Sequence, residues 1–219
     1  MILHSIGWDD ILQATLATLA MLGGSLFFTV LLGLPLGILL FLTGRTQLLD
    51  QTFAYGLLSV VLNTIRSVPF IILLILLMPV TVLLTGTSLG VRGVIPPLVI
   101  GTAPFFARLV ETALREVDRG VIEATQAMGG SVSQIVFRAL LPEALPGLIA
   151  SVTVTAVVLV DYTAMSGAIG GGGLGDLAIR YGYQRFKTDV MIVTVVLLIL
   201  LVQILQAFGN RLVIHFTRK

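Results

Sequence analysis

Apolar residues run through this chain in long, nearly uninterrupted blocks, and each block predicts a membrane helix rather than an amphipathic soluble one. Residues 11–42 are 32 positions without a charge, about 48 Å as helix against a hydrocarbon core of about 30 Å, so this block crosses with length to spare. Gly33 and Gly37 form a GxxxG pair that permits close helix approach, although glycine is common in membrane helices in any case. Pro35 between them is a point at which the span can kink. Residues 51–85 are apolar apart from Arg66, with breaks at Pro69 and Pro79. That length cannot supply two crossings of about 20 residues each, so it predicts one. The crossing is either a single broken helix or an interfacial helix to Ile65 followed by a tilted span from Pro69. After a Gly- and Ser-rich turn over residues 85–92, residues 93–107 give only 15 uncharged positions between Arg92 and Arg108. That is about 22 Å of helix, so both arginines are expected to snorkel and the helix to continue past the membrane. Glu111 and Arg115, four apart in the favourable order, fit a solvated extension. Residues 144–160 make a fourth span, extended by 162–169 past Asp161, and the 21 uncharged residues 190–210 make the fifth.

Between the third and fourth spans lies a polar island, DRGVIEATQAMGGSVSQIVFRALLP, residues 118–142. Val121, Ala124, Thr125 and Met128 recur at i, i+3, i+4 and i+7, which predicts one narrow face of a short helix, and Asp118 can cap its start. Gly129 and Gly130 stop it, because glycine reaches the left-handed conformation common at helix C-termini. Ser131 and Gln134 then form a capping box for a second helix. Its stripe is Val132, Ile135, Val136, Ala139 and Leu140, and Pro142 is expected to end it. A helix of about 16 Å is marginal in water unless packed, so the first helix must rest on something: a partner, or lipid headgroups, for which few basic residues are present.

Composition agrees with the blocks. Hydrophobic residues make up 57% of the 219 positions, charged residues 11%, and mean hydropathy is +1.07. One membrane domain over residues 1–219 follows, since no hydrophilic segment is long enough to fold separately. The start of the chain has no basic n-region and leads into an apolar block longer than a signal-peptide core, which predicts a retained anchor. With no cysteine in the chain, disulfides, thiol catalysis and cysteine metal sites are excluded. His4 and His215, at opposite ends, make no metal cluster, and a net charge of +2 gives no reason to expect nucleic acid. Five spans put the chain ends on opposite sides. Arg45, Arg108, Arg115, Arg119, Arg138, Arg211, Arg218 and Lys219 share one side; Arg92, Arg180, Arg185 and Lys187 share the other. The richer side is cytoplasmic by the positive-inside rule, which places the N-terminus outside and the polar island in the cytoplasm.

Catalytic machinery does not emerge from the residues. There is no GxxxxGK[ST] loop, and no nucleophile, base and orienting group recur at a workable spacing. Gly170, Gly171, Gly172, Gly173 and Gly175 satisfy GxGxxG only arithmetically, since no strand precedes them; a hinge or close-packing turn is the expectation. Asp161 and Arg66 are the intramembrane charges. A carboxylate at the bilayer centre costs about 2.5 to 3.5 kcal/mol, so Asp161 either faces the bundle or a wet cavity, or lies near the outer interface. Arg66 is either a snorkelling anchor or a partner for a carboxylate inside the bundle. Tyr181, Tyr183 and Phe186 fall in an external amphipathic segment, residues 176–189, suited to an interfacial belt. Energy for any transport is therefore expected to enter from a separate subunit through the cytoplasmic helices.

Glu123, Ala124, Gly129 and the Leu141, Pro142 end resemble the EAA loop of ABC importer permeases, the segment that docks on the ATPase. Thr125, Gly130 and Ala139 depart mildly from that pattern. RSVPFIILL from Arg66, GTSLG from Gly86, LLPEALPGL from Leu140 and AMSGAIGGGGLG from Ala164 extend the resemblance over nearly the whole chain, most strongly toward methionine importer permeases. Asp161 stands where that family carries a small uncharged residue. The resemblance implies an all-α polytopic bundle of five transmembrane helices in the bacterial inner membrane, with a coupling loop over residues 116–142. It implies a homodimer bound to two cytoplasmic ABC ATPases, which hold ATP and Mg, and served by an external substrate-binding protein. By the same resemblance Glu123 makes a polar contact to the ATPase or braces the loop, Ala124 and Ala127 allow close approach, Met128 fills an apolar pocket and Gly129 sets the turn. Two alternatives stay open at this point: import of another amino acid or short peptide, and an ion-coupled carrier in which Asp161 and Arg66 line an ion path.

Overall fold

In lipid a chain must satisfy its own backbone, and here it does so almost entirely as helix. The structure, a computed structural model, describes residues 7–45 and 47–217. The first six residues of the expected anchor, with His4, and the two terminal cations Arg218 and Lys219 lie outside the described residues. Helix α1 spans Trp8–Thr43, α2 Thr52–Ser67, α3 Phe70–Leu76, α4 Met78–Thr85 and α5 Gly90–Arg115. Helix α6 is Arg119–Ala127; α7, Val132–Gln134, runs through a π-helical stretch, Ile135–Leu140, into α8, Leu141–Glu143. Helix α9, Leu145–Ser166, ends in a 3₁₀ turn, Gly167–Ile169. A short α10, Gly173–Leu177, continues as π-helix over Ala178–Tyr183 before α11, Thr188–Thr217.

Four of these helices are long and apolar enough to cross a membrane: α1, α5, α9 with its 3₁₀ turn, and α11. The bent pair α2 and α3 supplies a fifth span if counted as one, with an angle of 99° between its halves. That angle falls at Val68 and Pro69, where Pro69 removes a donor and pushes Val68 into extended backbone. The bend sits where the sequence places it. Helix α2 buries only Leu62 and leaves Phe53, Leu57, Val60 and Val61 exposed, as a helix lying against lipid does.

Packing centres on α1 and α5. Their close approach comes from Gly33 and Gly37: a Cβ on Gly37 would stand 2.6 Å from the Ala107 carbonyl oxygen, and one on Gly33 2.8 Å from the Phe106 ring. The GxxxG pair is therefore a packing device here, and α1 continues as one helix through Pro35. Helix α5 likewise continues through Pro96, Pro97 and Pro104. Across the same seam Thr29 and Thr102 share a buried hydrogen bond of 2.7 Å, and Thr102 donates 2.7 Å to the Leu98 carbonyl.

Four apolar clusters hold the described residues together, the smallest being Leu40, Leu62 and Ala107 between α1, α2 and α5, and the three larger ones follow one another along the bundle. One holds Ile11, Leu174, Leu177 and Val190. Another holds Met21, Phe70, Leu74, Val94, Leu98 and Leu159. The third, Phe41, Phe106, Val110, Leu114, Ile135, Val136 and Leu140, lies at the end that carries α6 and supports the site described next.

Candidate functional site

Helix α6 starts at Asp118, whose carboxylate accepts 2.7 Å from the Gly120 amide. It stops at Gly129, where φ is +80°, and the Gly130 amide donates 3.0 Å to the Thr125 carbonyl. Gly130 is glycine for a different reason: a Cβ there would stand 2.8 Å from that carbonyl oxygen. Ser131 and Gln134 close the capping box, with the Ser131 amide donating 2.8 Å to Gln134 Oε1 and the Gln134 amide 3.4 Å to Ser131 Oγ. Both caps stand where the sequence puts them.

The faces differ from expectation. Val121 and Ile122 pack against the core and Thr125 is half-buried, while Ala124 and Met128 point outward, Met128 at 79% exposure. The core lies on the i, i+1, i+4 side of α6, about one residue round from the predicted stripe. Consequently Glu123, Ala124, Ala127, Met128 and Gly129 form a free surface, rooted from behind by Val121 and Ile122. Glu123 lines a cleft of about 200 Å³ with Gln47, Leu48, Arg119, Ile122 and Gln126, so the segment after α1 flanks the same surface.

The second helix does not end at Pro142. The Leu141 amide reaches back five residues to the Val136 carbonyl, and this widened turn absorbs the ring of Pro142 and its missing donor. Helix then runs on, with the Ala144 amide donating 2.8 Å to the Leu140 carbonyl. The π turn also selects which residues go inward. Ile135, Val136 and Leu140 are buried, Ala139 and Leu141 are half-buried, and Val132 and Pro142 are exposed.

About two turns before α6 the structure holds a cluster that departs from expectation. Glu111 is not on a solvated extension; it is 4% exposed. Its carboxylate takes Arg108 at 2.7 Å and Arg115 at 2.8 Å, and accepts 3.1 Å from the Tyr55 hydroxyl. Arg108 also donates 3.4 Å to the Asn63 side chain, so instead of snorkelling it ties α5 to α2. The signal was present: Ala107 and Leu114, one turn either side of Glu111, belong to the buried face of α5.

Arg66 and Asp161 are both exposed, and neither forms an ion pair among the described residues. The Arg66 guanidinium lies 5.8 Å from the centre of the Phe105 ring, so no bundle carboxylate holds it. Asp161 follows the buried Val160 and precedes Tyr162, whose ring stacks on Phe70 at 4.0 Å. Gly170, Gly172 and Gly173 all have positive φ, and a Cβ on Gly171 would stand 2.8 Å from the Ser166 carbonyl oxygen. The run is thus a tight turn folding α10 back against α9. Of the expected aromatic belt, Tyr183 and Phe186 are exposed, while Tyr181 lies under the guanidinium groups of Arg180 and Arg185.

Known proteins resemble this chain in sequence and in fold. A Vibrio cholerae protein named as a probable D-methionine transport system permease protein, MetI, is 50% identical over 207 residues, covering 94% of this chain and 91% of its own length. The methionine import system permease protein MetP of Bacillus subtilis is 50% identical over 172 residues, 78% of each chain. A chain solved in inward facing conformations of the MetNI methionine ABC transporter superposes with a TM-score of 0.95 at 45% identity, over 96% of this chain and 98% of that one. The fold alone extends to an amino acid ABC transporter solved with histidines, at a TM-score of 0.72 and 18% identity, over 93% of this chain and 94% of the other. Residues 33–215 match the family described as the binding-protein-dependent transport system inner membrane component, and the chain belongs to that family.

Proposed function

We propose that this chain is the membrane-spanning subunit of an ABC importer that carries methionine into the cytoplasm, with energy supplied by a separate ATPase. The relatives are named for methionine transport, and the observation that carries the reading is α6. It is a short helix capped at both ends and rooted in the core, with Glu123, Ala124, Ala127, Met128 and Gly129 left free on its outer side. No described residue covers that side, and an exposed Met128 beside two alanines suits an apolar pocket on a partner.

In this reading two copies of the chain pair, two cytoplasmic ATPases bind their α6 helices, and an external binding protein delivers the amino acid. ATP and Mg reside on the partner, and this chain performs no covalent chemistry. The N-terminus is outside and the C-terminus inside, in the bacterial inner membrane. Closure of the ATPases moves α6 as a rigid body, and the bundle switches from inward-open to outward-open. Work passes only if docking energy differs between these states. The Glu111 cluster would keep α2 and α5 moving together with α6, and the turn from Gly170 to Gly173 would let α9 and α10 change their angle. Leu141 and Pro142 would close the docking segment.

Gly129→Val tests this. Nothing crowds a Cβ at Gly129, but φ of +80° is a strained conformation for a β-branched residue. The variant should insert and fold, and substrate-stimulated uptake should fall at least tenfold; uptake at the parent rate would remove α6 from the energy path.

A further inference from the structure

Arg66 closes α2 at the bend into α3 and borders a cavity of about 160 Å³. Ile65, Phe70, Leu73, Phe105 and Tyr162 wall it, and Gly101 keeps one side low. Gly101 and Phe105 lie within α5 and Tyr162 within α9, both membrane-crossing helices. A guanidinium in hydrocarbon costs about 2.5 to 3.5 kcal/mol, so a charge here needs water or an anion. The contrast with its neighbours is sharp: Arg108 and Arg115 are both held by Glu111, while Arg66 pairs with no carboxylate among the described residues and rests only on the Phe105 ring.

The walls have their own chemistry. Tyr162 and Phe70 stack within 6° of parallel, and Phe105 adds a third ring. Sulfur packs well against aromatic rings, and a guanidinium fork matches a carboxylate with two parallel hydrogen bonds. The cavity is half open and its accessible wall is largely polar, which suits the charged head of an amino acid, and its volume of about 160 Å³ leaves room for an unbranched side chain laid along the rings. We propose that the cavity is an amino-acid station on the transport path, where Arg66 receives the carboxylate and Phe70, Phe105 and Tyr162 receive the side chain. The identity of the amino acid rests on the proposed function; the anion preference of the cavity does not.

Because this chain has no cysteine, Ile65→Cys gives it a single thiol, read in the complete transporter in liposomes against the parent transporter labelled in parallel to subtract any thiols of the partner subunits, with Val68→Cys as a second position should the first fail to assemble. A sulfonate-bearing methanethiosulfonate should modify it several-fold faster than the trimethylammonium form, and L-methionine under turnover should slow that reaction. Adding Arg66→Gln should erase both effects. In the cysteine-free background Arg66→Gln should lower methionine uptake at least tenfold while eluting in detergent as the parent complex does, and Arg66→Lys should recover part of it. Absent charge preference, absent protection by L-methionine, or undiminished uptake by Arg66→Gln would overturn the proposal. So would protection that depends on anionic lipid rather than on methionine, which would assign the cavity to a headgroup phosphate. A wild-type transporter that accumulates a different solute, with the charge preference intact, would sink the methionine reading alone.

Discussion

Helices α5 and α11 are both membrane spans, yet they are built on opposite rules. Over its most apolar stretch α5 is 61% buried within the chain and α11 only 11%. The buried one is the less hydropathic of the two. It carries three prolines, Gly101, Thr102 and the Glu111 cluster, whereas α11 presents Ile192, Val195, Ile199, Leu200, Ile204 and Phe208 outward. Lipid is as apolar as leucine, so hydrophobicity cannot draw a helix into the bundle; small residues and interhelical hydrogen bonds do that instead. Helix α5 has these features along its length. In α11 a comparable close approach comes at Gly209, where a Cβ would collide with the Thr153 side chain.

Substitutions graded along this contrast test it. Glu111→Ala should be the most damaging, by about 3 to 5 kcal/mol, because it strands Arg108 and Arg115 in a site built around one carboxylate. Unfolding in a detergent and denaturant titration, followed by circular dichroism, reads this directly, and a loss below 1 kcal/mol would mean that the cluster is solvated after all. Next comes Gly37→Ala, at about 1 to 3 kcal/mol, since its Cβ would press on the Ala107 carbonyl, which cannot turn aside. The same titration checks it, and a neutral result would show that the two helices separate freely. Thr102→Val should cost about 0.6 kcal/mol, the usual worth of an interhelical hydrogen bond in lipid, because Thr29 can turn to its own helix. Ile199→Ala, on the outward side of α11, should be nearly silent in the isolated subunit. A clear destabilisation there would put α11 in a protein interface rather than in lipid.

Much of α6 and its caps was readable from residue order. Asp118, Gly129, Ser131 and Gln134 are short-range devices, each acting within a few residues, so the sequence located the start and stop of α6. The break at Pro69 was readable for the same reason. Longer-range features were not. Glu111 and Arg115 at i, i+4 look alike whether they sit in water or in a core, and only Tyr55 and Asn63 arriving from α2 distinguish the cases. The π turn at Ile135–Leu140 escaped because Pro142 reads as a stop unless the preceding turn widens.

By itself the sequence determined which blocks are long and apolar enough to cross, where α6 begins and ends, and where the chain breaks at Pro69, because span length and capping are local properties of the backbone in its solvent. Tertiary structure alone decided that α5 goes inside and α11 outside, that Met128 points away from the core, and that Arg66 is left beside a cavity without a carboxylate. An apolar residue is equally content against lipid or protein, so only the close fit of Gly33 and Gly37 on α5, and the charges it gathers, settles which side is which.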